Sequence, residues 1–188
     1  MSDPEPNLIL ALKVASSFVS HARTLLATDY LPKIERCLEV LTDEQIWWRA
    51  NETSNSIGNL LLHLSGNARQ WIVAGLGGGI DNRERQTEFD ERSVIPKAEL
   101  LETVRGTLGE VDRVLRTFDP ALLLKRYQIQ ACDVTALDAI FHVAEHFSMH
   151  TGQIITLTKL LNETDLGFYD FSTGAPVRAW NKPQANKQ

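Results

Sequence analysis

Apolar residues recur along this chain at alternating steps of three and four, the spacing that places side chains on one face of an α-helix. The clearest face runs from Leu100 to Phe118, with Pro96 before it and Asp119-Pro120 after it as end signals. Four such segments occur, and patterns typical of strands are nearly absent. Since no helix can bury its apolar face alone, the chain is predicted to fold as an all-α four-helix bundle.

The predicted core faces of the first and last helices follow from the same spacing. The first helix contains Pro32, where a bend or a restart is predicted, and the last begins with Thr135 and Asp138 in a capping-box arrangement. The faces are Ala11, Val14, Phe18, Ala22 and Leu25 in the first helix, and Leu137, Phe141, Ala144, Ser148, Ile155 and Leu161 in the last.

A long connection separates the second helix from the third. The second helix is predicted to begin at Ser54 or Ser56 and to end at Gly75, and no periodic face follows until Ile95. If extended, this connection reaches about 70 Å, about twice the length of a 20-residue helix, so the chain can recross the bundle. The prediction is therefore an up-down-down-up order with the crossover between helices two and three.

Length and charge narrow the class of protein. The 188 residues predict a single domain over 1–188, with a core at about 8–162 and a C-terminal tail at 163–188. The net charge is −5, and no basic block is present, so neither nucleic acid nor a membrane is an expected partner. An acidic N-terminus and the absence of a long apolar run predict a cytoplasmic protein, in which the well-separated Cys37 and Cys132 are free thiols.

Histidines carry the strongest chemical signal. His142, His146 and His150 are spaced four and four in the last helix, which stacks their side chains along one row. His63 interrupts an apolar run in the second helix, where its ring nitrogens need partners. If these two helices are antiparallel, His63 and His146 lie at similar depth in the bundle. The pairs His142/His146 and His146/His150 then both remain open as the other ligands.

Three neutral imidazoles from facing helices would hold a divalent cation and leave a position for water or substrate, which is typical of a catalytic site. Zinc and nickel are the expected ions, with iron and manganese as alternatives. Such a cation could activate water for hydrolysis or bind a thiol as thiolate for transfer to an electrophile. Outer groups near the ligands could fix an imidazole or accept a proton; the candidates are Asp138, His142, Glu145 and Gln153.

Two segments resemble the DinB-like superfamily of bacterial four-helix-bundle metalloproteins. One is Asn59–Asn67 around His63, and the other is His142–Ile154, in which Gly152-Gln153 follows the histidine row. The resemblance implies that His63, His146 and His150 bind the metal and that His142 is an extra or outer residue. Because Glu145 precedes His146 and no HExxH is present, a zincin-type protease is not supported.

The resemblance also implies an up-down-down-up bundle, often a homodimer, and an enzyme that acts on low-molecular-weight thiols such as bacillithiol or mycothiol. The resulting hypothesis is a divalent-metal-dependent enzyme, either a hydrolase or a thiol S-transferase, with a small-molecule substrate. The alternative is a non-catalytic metal-binding bundle, either stress-associated or an interaction module, because fold does not by itself determine function.

Overall fold

The structure, a computed structural model, describes residues 4–172 and 174–181. The chain is mostly helical, as predicted. The α-helices are α1 (Pro4–Leu25), α2 (Leu31–Glu39), α3 (Asp43–Ile46), α4 (Ile57–Ala68), α5 (Arg85–Asp90), α6 (Lys97–Thr117) and α7 (Ala136–Leu161). Wider π-helical turns follow α1 at Leu26–Tyr30 and α4 at Arg69–Ala74, and 3₁₀ turns lie at Pro120–Leu122 and Ala179–Asn181.

The first predicted helix changes type where a restart is expected. Its π-helical turn separates α1 from α2, and the N–H of Leu31 donates to the carbonyl of Leu26, five residues earlier. Pro32 lies in the first turn of α2, where its missing N–H costs little. The helical path therefore continues through Pro32.

Four residues of the predicted core faces are exposed, namely Ala11, Val14, Phe141 and Ser148, so these predictions are wrong. Val14 is 61% exposed and Phe141 is 55% exposed. The buried faces are instead Ala15, Val19, Ala22 and Leu26 in the first helix and Ala139, Ile140, Val143, Phe147 and Ile154 in α7. In α7, Phe141 and Phe147 both fit a helical repeat, and only the neighbouring helices determine which of the two faces is covered.

Capping boxes define the starts of the two helices that carry the histidines. Of the two predicted caps for α4, the structure selects Ser56, whose hydroxyl accepts from the N–H of Asn59. Thr135 and Asp138 form the predicted box at the start of α7. These caps satisfy orphan backbone donors and therefore set where each histidine falls along its helix.

A β-hairpin precedes α7, although patterns typical of strands are nearly absent from the sequence. Its strands are β1 (Arg126–Ile129) and β2 (Cys132–Thr135), paired antiparallel with Arg126 opposite Thr135. The two turn residues, Gln130 and Ala131, have φ of 51° and 60°, a left-handed conformation that usually calls for Asn or Gly. The sequence therefore lacks the dipeptide that signals a hairpin. A second small hairpin pairs β3 (Tyr169–Asp170) with β4 (Val177–Arg178).

Side-chain contacts give the relative directions of the long helices. α4 and α7 are antiparallel, because His63 meets His146 while Asn67 meets His142. Arg69 of the turn after α4 bonds Glu110 of α6.

The first helix runs opposite to α6. Near its middle, Arg23 bonds Asp112, and near its end Glu35 bonds Arg105. Sequence number rises along one helix as it falls along the other, as antiparallel packing requires.

The segment after α7 packs on the first helix. Leu166 is 1% exposed and belongs to the core, and Arg178 donates to Asp29 at 2.8 Å. The hydrophobic core cluster therefore includes a residue beyond position 162. The end of the predicted tail, 182–188, lies outside the described residues.

One helical path, Pro6–Glu39, is long and apolar enough to cross a membrane by length and composition alone. Only 17% of its apolar 18-residue stretch is buried in the structure. The core helix of a soluble protein or a signal sequence can have the same length and composition. The expectation that a membrane is not a partner thus stays a prediction. Cys37 is buried, Cys132 is exposed, and both are free.

Candidate metal centre

Three histidines converge between α4 and α7. One ring nitrogen each of His63, His146 and His150 lies within 4.8 Å of the others. The Nε2 atoms of His63 and His146 are 2.8 Å apart, and the ring centroids of His146 and His150 are 4.4 Å apart. This set is compatible with a metal site. Of the two histidine pairs that spacing left open, the structure brings His146 and His150 to His63.

Helix geometry explains the convergence. His146 and His150 are one turn apart, so both rings project from the same edge of α7. His63 reaches them from the antiparallel α4, where it is 4% exposed. The two ring nitrogens of His63 meet partners at the seam with α7 and in the connection between α4 and α6.

The connection between α4 and α6 supplies the partner of the other His63 nitrogen. Oε2 of Glu88, in α5, lies 2.9 Å from His63 Nδ1. Glu88 also pairs with Arg83, whose Nε is 2.7 Å from Oε1, and both side chains are about as buried as His63. Burial acts to raise the pKa of Glu88, but hydrogen bonds and charges from Arg83 and His63 outweigh it and lower that pKa.

The tautomer of His63 follows from this carboxylate. Arg83 Nη2 is 3.1 Å from His63 Nδ1, but the same nitrogen donates to Glu88 Oε2 at 2.8 Å. A carboxylate can only accept, so the arrangement is satisfied when His63 Nδ1 carries the proton. The lone pair of His63 is then on Nε2 and faces His146.

Further hydrogen bonds hold Arg83 in place. Its Nη1 donates to Gln70 Oε1 at 2.9 Å, and Gln70 Nε2 donates to Asp81 at 2.8 Å. Gln70 lies in the π-helical turn after α4, a type of insertion that often occurs at functional sites. The network thus ties residues 81 and 83 of the connection between α4 and α6 to the end of the helix that carries His63.

His150 is oriented in the same way by its own helix. Its Nδ1 lies 2.6 Å from Oε1 of Gln153, which can only accept, so Nδ1 holds the proton. Its Nε2 is buried without a hydrogen-bond partner among the described residues. An orphaned, buried nitrogen on a ring that packs against two other imidazoles fits a metal ligand.

The electrostatics favour neutral rings. Burial and the charges of the neighbouring histidines and Arg83 lower the pKa of His146 to about 3. Burial also lowers the pKa of His150. Neutral imidazole is the form that binds metals, so protons compete weakly with a cation at neutral pH.

His142 lies next to the cluster but is turned toward other partners. Its Nε2 is 3.0 Å from Nδ2 of Asn67, and its ring packs on Trp71 at 4.2 Å between centroids. It also stacks on His146, at 5.3 Å. Burial lowers the pKa of His142, although the charge of Glu145 acts in the opposite direction. His142 therefore lies beside the cluster and is not one of its three converging histidines.

The other predicted outer residues have different positions. Gln153 contacts His150, as described above. Glu145 is exposed, and no hydrogen bond of its side chain is found among the described residues. Asp138 uses Oδ2 to accept from the backbone and hydroxyl of Thr135, so its carboxylate serves as a helix cap.

Sequence reasoning missed Glu88 and Arg83. Both lie in a segment without helical periodicity, and charged residues there are typical of a solvated loop. Neither spacing nor residue type indicates that α5 folds back onto α4. A signal existed only in the need of His63 for a partner on each ring nitrogen.

Acid is expected to destabilise the metal-free protein. The lowered pKa values of His146 and His150 belong to the folded chain, whereas both groups titrate near 6.5 when unfolded. Above that pH both states hold neutral rings. Below it the unfolded chain takes up protons that the folded chain does not, so the free energy of unfolding decreases as the pH is lowered.

The measurement is the urea midpoint of chelator-treated protein between about pH 7 and about pH 5. We expect the midpoint to fall, and to fall less in His146→Gln. An equal decrease in both proteins would contradict the lowered pKa of His146.

The fold and the site define the class of this protein. It is a mostly helical protein with a candidate metal centre, in which three histidines converge between antiparallel helices. This chain belongs to the family described as protein of unknown function (DUF1572), whose model matches residues 13–174. That family is a DinB-like helical family. A search of the curated proteins finds no match to this sequence.

Proposed function

We propose that this protein is a divalent-metal-dependent enzyme that binds its cation with His63, His146 and His150. One observation carries the proposal: His63 and His150 each have Nδ1 held by an acceptor, which leaves Nε2 to bind a cation, and one ring nitrogen of each of the three histidines lies within 4.8 Å of the others. Outer acceptors of this kind are typical of histidine metal ligands, whose tautomer and orientation they fix.

The ligand set supports a catalytic centre over a structural one. A structural zinc site has four protein ligands, whereas three histidines leave a position for water or substrate. Among the described residues, Glu88 is the carboxylate that contacts the cluster, and its two oxygens already pair with Arg83 and with His63. Glu88 is thus an orienting group rather than a fourth ligand.

The proposed reaction class is hydrolysis or low-molecular-weight thiol S-transfer. A divalent cation in this site would supply a Lewis acid that lowers the pKa of bound water or thiol. The chain's own contribution is to hold His63 and His150 in the ligating tautomer. Asn67 and Trp71 hold His142 beside the cluster. Zinc and nickel suit imidazole ligands, and iron or manganese remain alternatives.

An open coordination position is the testable core of this proposal. We expect Co²⁺-loaded protein to change its visible spectrum when azide is added, because azide can occupy the fourth position. His142→Ala should respond in the same way, since His142 is not a proposed ligand. A spectrum that azide leaves unchanged would favour the alternative, a non-catalytic metal-binding module. If azide does change the spectrum, two assays distinguish the reactions. Metal-dependent hydrolysis of an activated ester would indicate a hydrolase, and arylation of a small thiol by an aryl chloride would indicate a thiol S-transferase.

The proposed fold is an up-down-down-up four-helix bundle. Support comes from the directions of neighbouring helices: α7 is opposite to α4, and the first helix is opposite to α6. Arg69 contacts Thr107 and Glu110, and Gly77, further along the chain, lies against Val114, which indicates that α4 and α6 run in the same direction. The crossover between them is then the segment that carries Glu88.

We further propose a cytoplasmic homodimer. Large apolar side chains are exposed around the start of α1, which one chain leaves uncovered. They are Leu8, Ile9, Leu10, Leu12 and Val14. A helix that is apolar on every side is normally buried, and a second copy would bury this one.

The dimer predicts a change in mass on mutation. Leu8→Glu combined with Leu10→Glu should convert a two-chain species to one chain in sedimentation equilibrium. Leu160→Glu, at a site on α7 that is 71% exposed, is the control and should leave the mass unchanged. A wild-type protein that is a single chain at all concentrations would contradict the homodimer.

A further inference from the structure

A cleft of about 620 Å³ lies between α7 and the segment that leads into α4. Its size is within the range of small-molecule sites, roughly 300–1,000 Å³. Its walls include Asn55, Leu60, Met149, Gln153 and Thr156. This cleft is separate from the residues proposed to bind the cation.

The cleft adjoins the histidine cluster on both helices. Leu60 precedes His63 by one turn of α4, and Met149 follows His146 by about one turn of α7. Gln153 forms part of the wall and is also the side chain that accepts from His150 Nδ1 at 2.6 Å. A molecule in the cleft would therefore lie beside His150 and contact the residue that orients it.

The walls are uncharged. No Asp, Glu, Lys or Arg is among the lining residues, whose polar members are Ser, Asn, Gln and Thr. Since Gln153 uses its oxygen for His150, its amide nitrogen is left to donate to a ligand. Leu60 and Met149 provide apolar contact, and Met149 is 52% exposed. A methionine at such a site adapts to ligands of irregular shape.

We propose that this cleft is the substrate site of the metal centre and that it takes an uncharged small molecule with amide or hydroxyl groups and a short apolar part. The inference rests on the proposed function, whose substrate class it names. A carboxylate placed in the cleft would lose water without gaining a cationic partner, so charged analogues should bind more weakly.

The probe pair is N-acetylcysteine amide and N-acetylcysteine, which differ only in an amide against a carboxylate. The chain has two methionines, Met1 and Met149, so a ¹³C-methyl-methionine label gives two signals, one of which comes from the cleft. In metal-free protein, we expect the amide to shift the Met149 signal and the acid to bind at least about tenfold more weakly. Equal binding of both probes, or no shift with either, would overturn the proposal.

Two glycine variants locate the site. A Cβ added at Gly152 or at Gly109 meets no atom within 4 Å, so both helical positions accept a larger residue. Gly152 lines the cleft, whereas Gly109 lies on α6. Gly152→Leu should abolish the Met149 shift, and Gly109→Leu should keep it. A shift that survives Gly152→Leu would place binding elsewhere and refute the assignment.

A final measurement separates this inference from the proposed function. In Co²⁺-loaded protein, the bound amide probe should show enhanced proton relaxation because it lies beside the paramagnetic ion. If Met149 shifts but relaxation is unchanged in loaded protein, the cleft is not the substrate site. If the protein takes up no Co²⁺, the proposed function fails, and with it the inference, whatever Met149 reports.

Discussion

His63→Ala is expected to abolish stoichiometric metal binding. The substitution removes the only ligand that α4 supplies, and two histidines on one helix turn cannot enclose a cation from both sides. We expect affinity for zinc to fall by more than the roughly 10–100-fold that loss of an outer partner costs. The measurement is metal content after dialysis, with a competition titration for affinity.

Two further variants keep this prediction falsifiable. His146→Ala does not disturb Glu88 and should lose the metal equally, so a folding defect specific to His63 would be recognised. His21→Ala is the control, because His21 is exposed on α1 and distant in sequence from every cluster residue. Wild-type metal content in His63→Ala, or metal loss in His21→Ala, would refute the proposed ligand set.

Loss of Glu88 is expected to have the largest effect on stability. Glu88→Ala leaves the guanidinium of Arg83, only 6% exposed, without its carboxylate. Breaking a buried ion pair by removing one partner typically costs about 3–5 kcal/mol, because a desolvated charge is left uncompensated. The free energy of unfolding from urea titrations measures this loss.

The milder Glu88→Gln separates orientation from stability. The amide can still accept from His63 Nδ1, but it carries no charge to hold the proton there. Zinc affinity should fall by about 10–100-fold while the fold persists. Glu35→Ala breaks the more exposed pair with Arg105 and should cost no more than about 1 kcal/mol, with metal affinity unchanged. Unchanged zinc affinity in Glu88→Gln would show that Glu88 does not position His63.

The helical class and the histidine cluster could be predicted because both are periodic. An apolar repeat near 3.6 residues per turn needs no knowledge of the partner helix, and neither does the row of His146 and His150 one turn apart. The caps at Ser56 and Thr135 are local for the same reason, since each bonds its own backbone within three residues.

Errors arose where the decision depends on a neighbour. Phe141 fits the repeat of α7 as well as Phe147 does, but Phe147 is 0% exposed and Phe141 is 55% exposed. The hairpin turn at Gln130 and Ala131 was missed because its left-handed backbone is imposed on residues that do not favour it locally.

For this chain, then, the order of residues alone determined the long helices, the cap of α7 and which imidazoles share a face, because all of these depend on contacts within a turn or two. The tertiary structure decided what surrounds those imidazoles. Glu88 contacts His63 across 25 positions, from a connection without periodicity, and is held there by a buried ion pair with Arg83. A pairing of that kind is selected by desolvation and charge in the folded molecule, and these act between residues whose distance the sequence does not record.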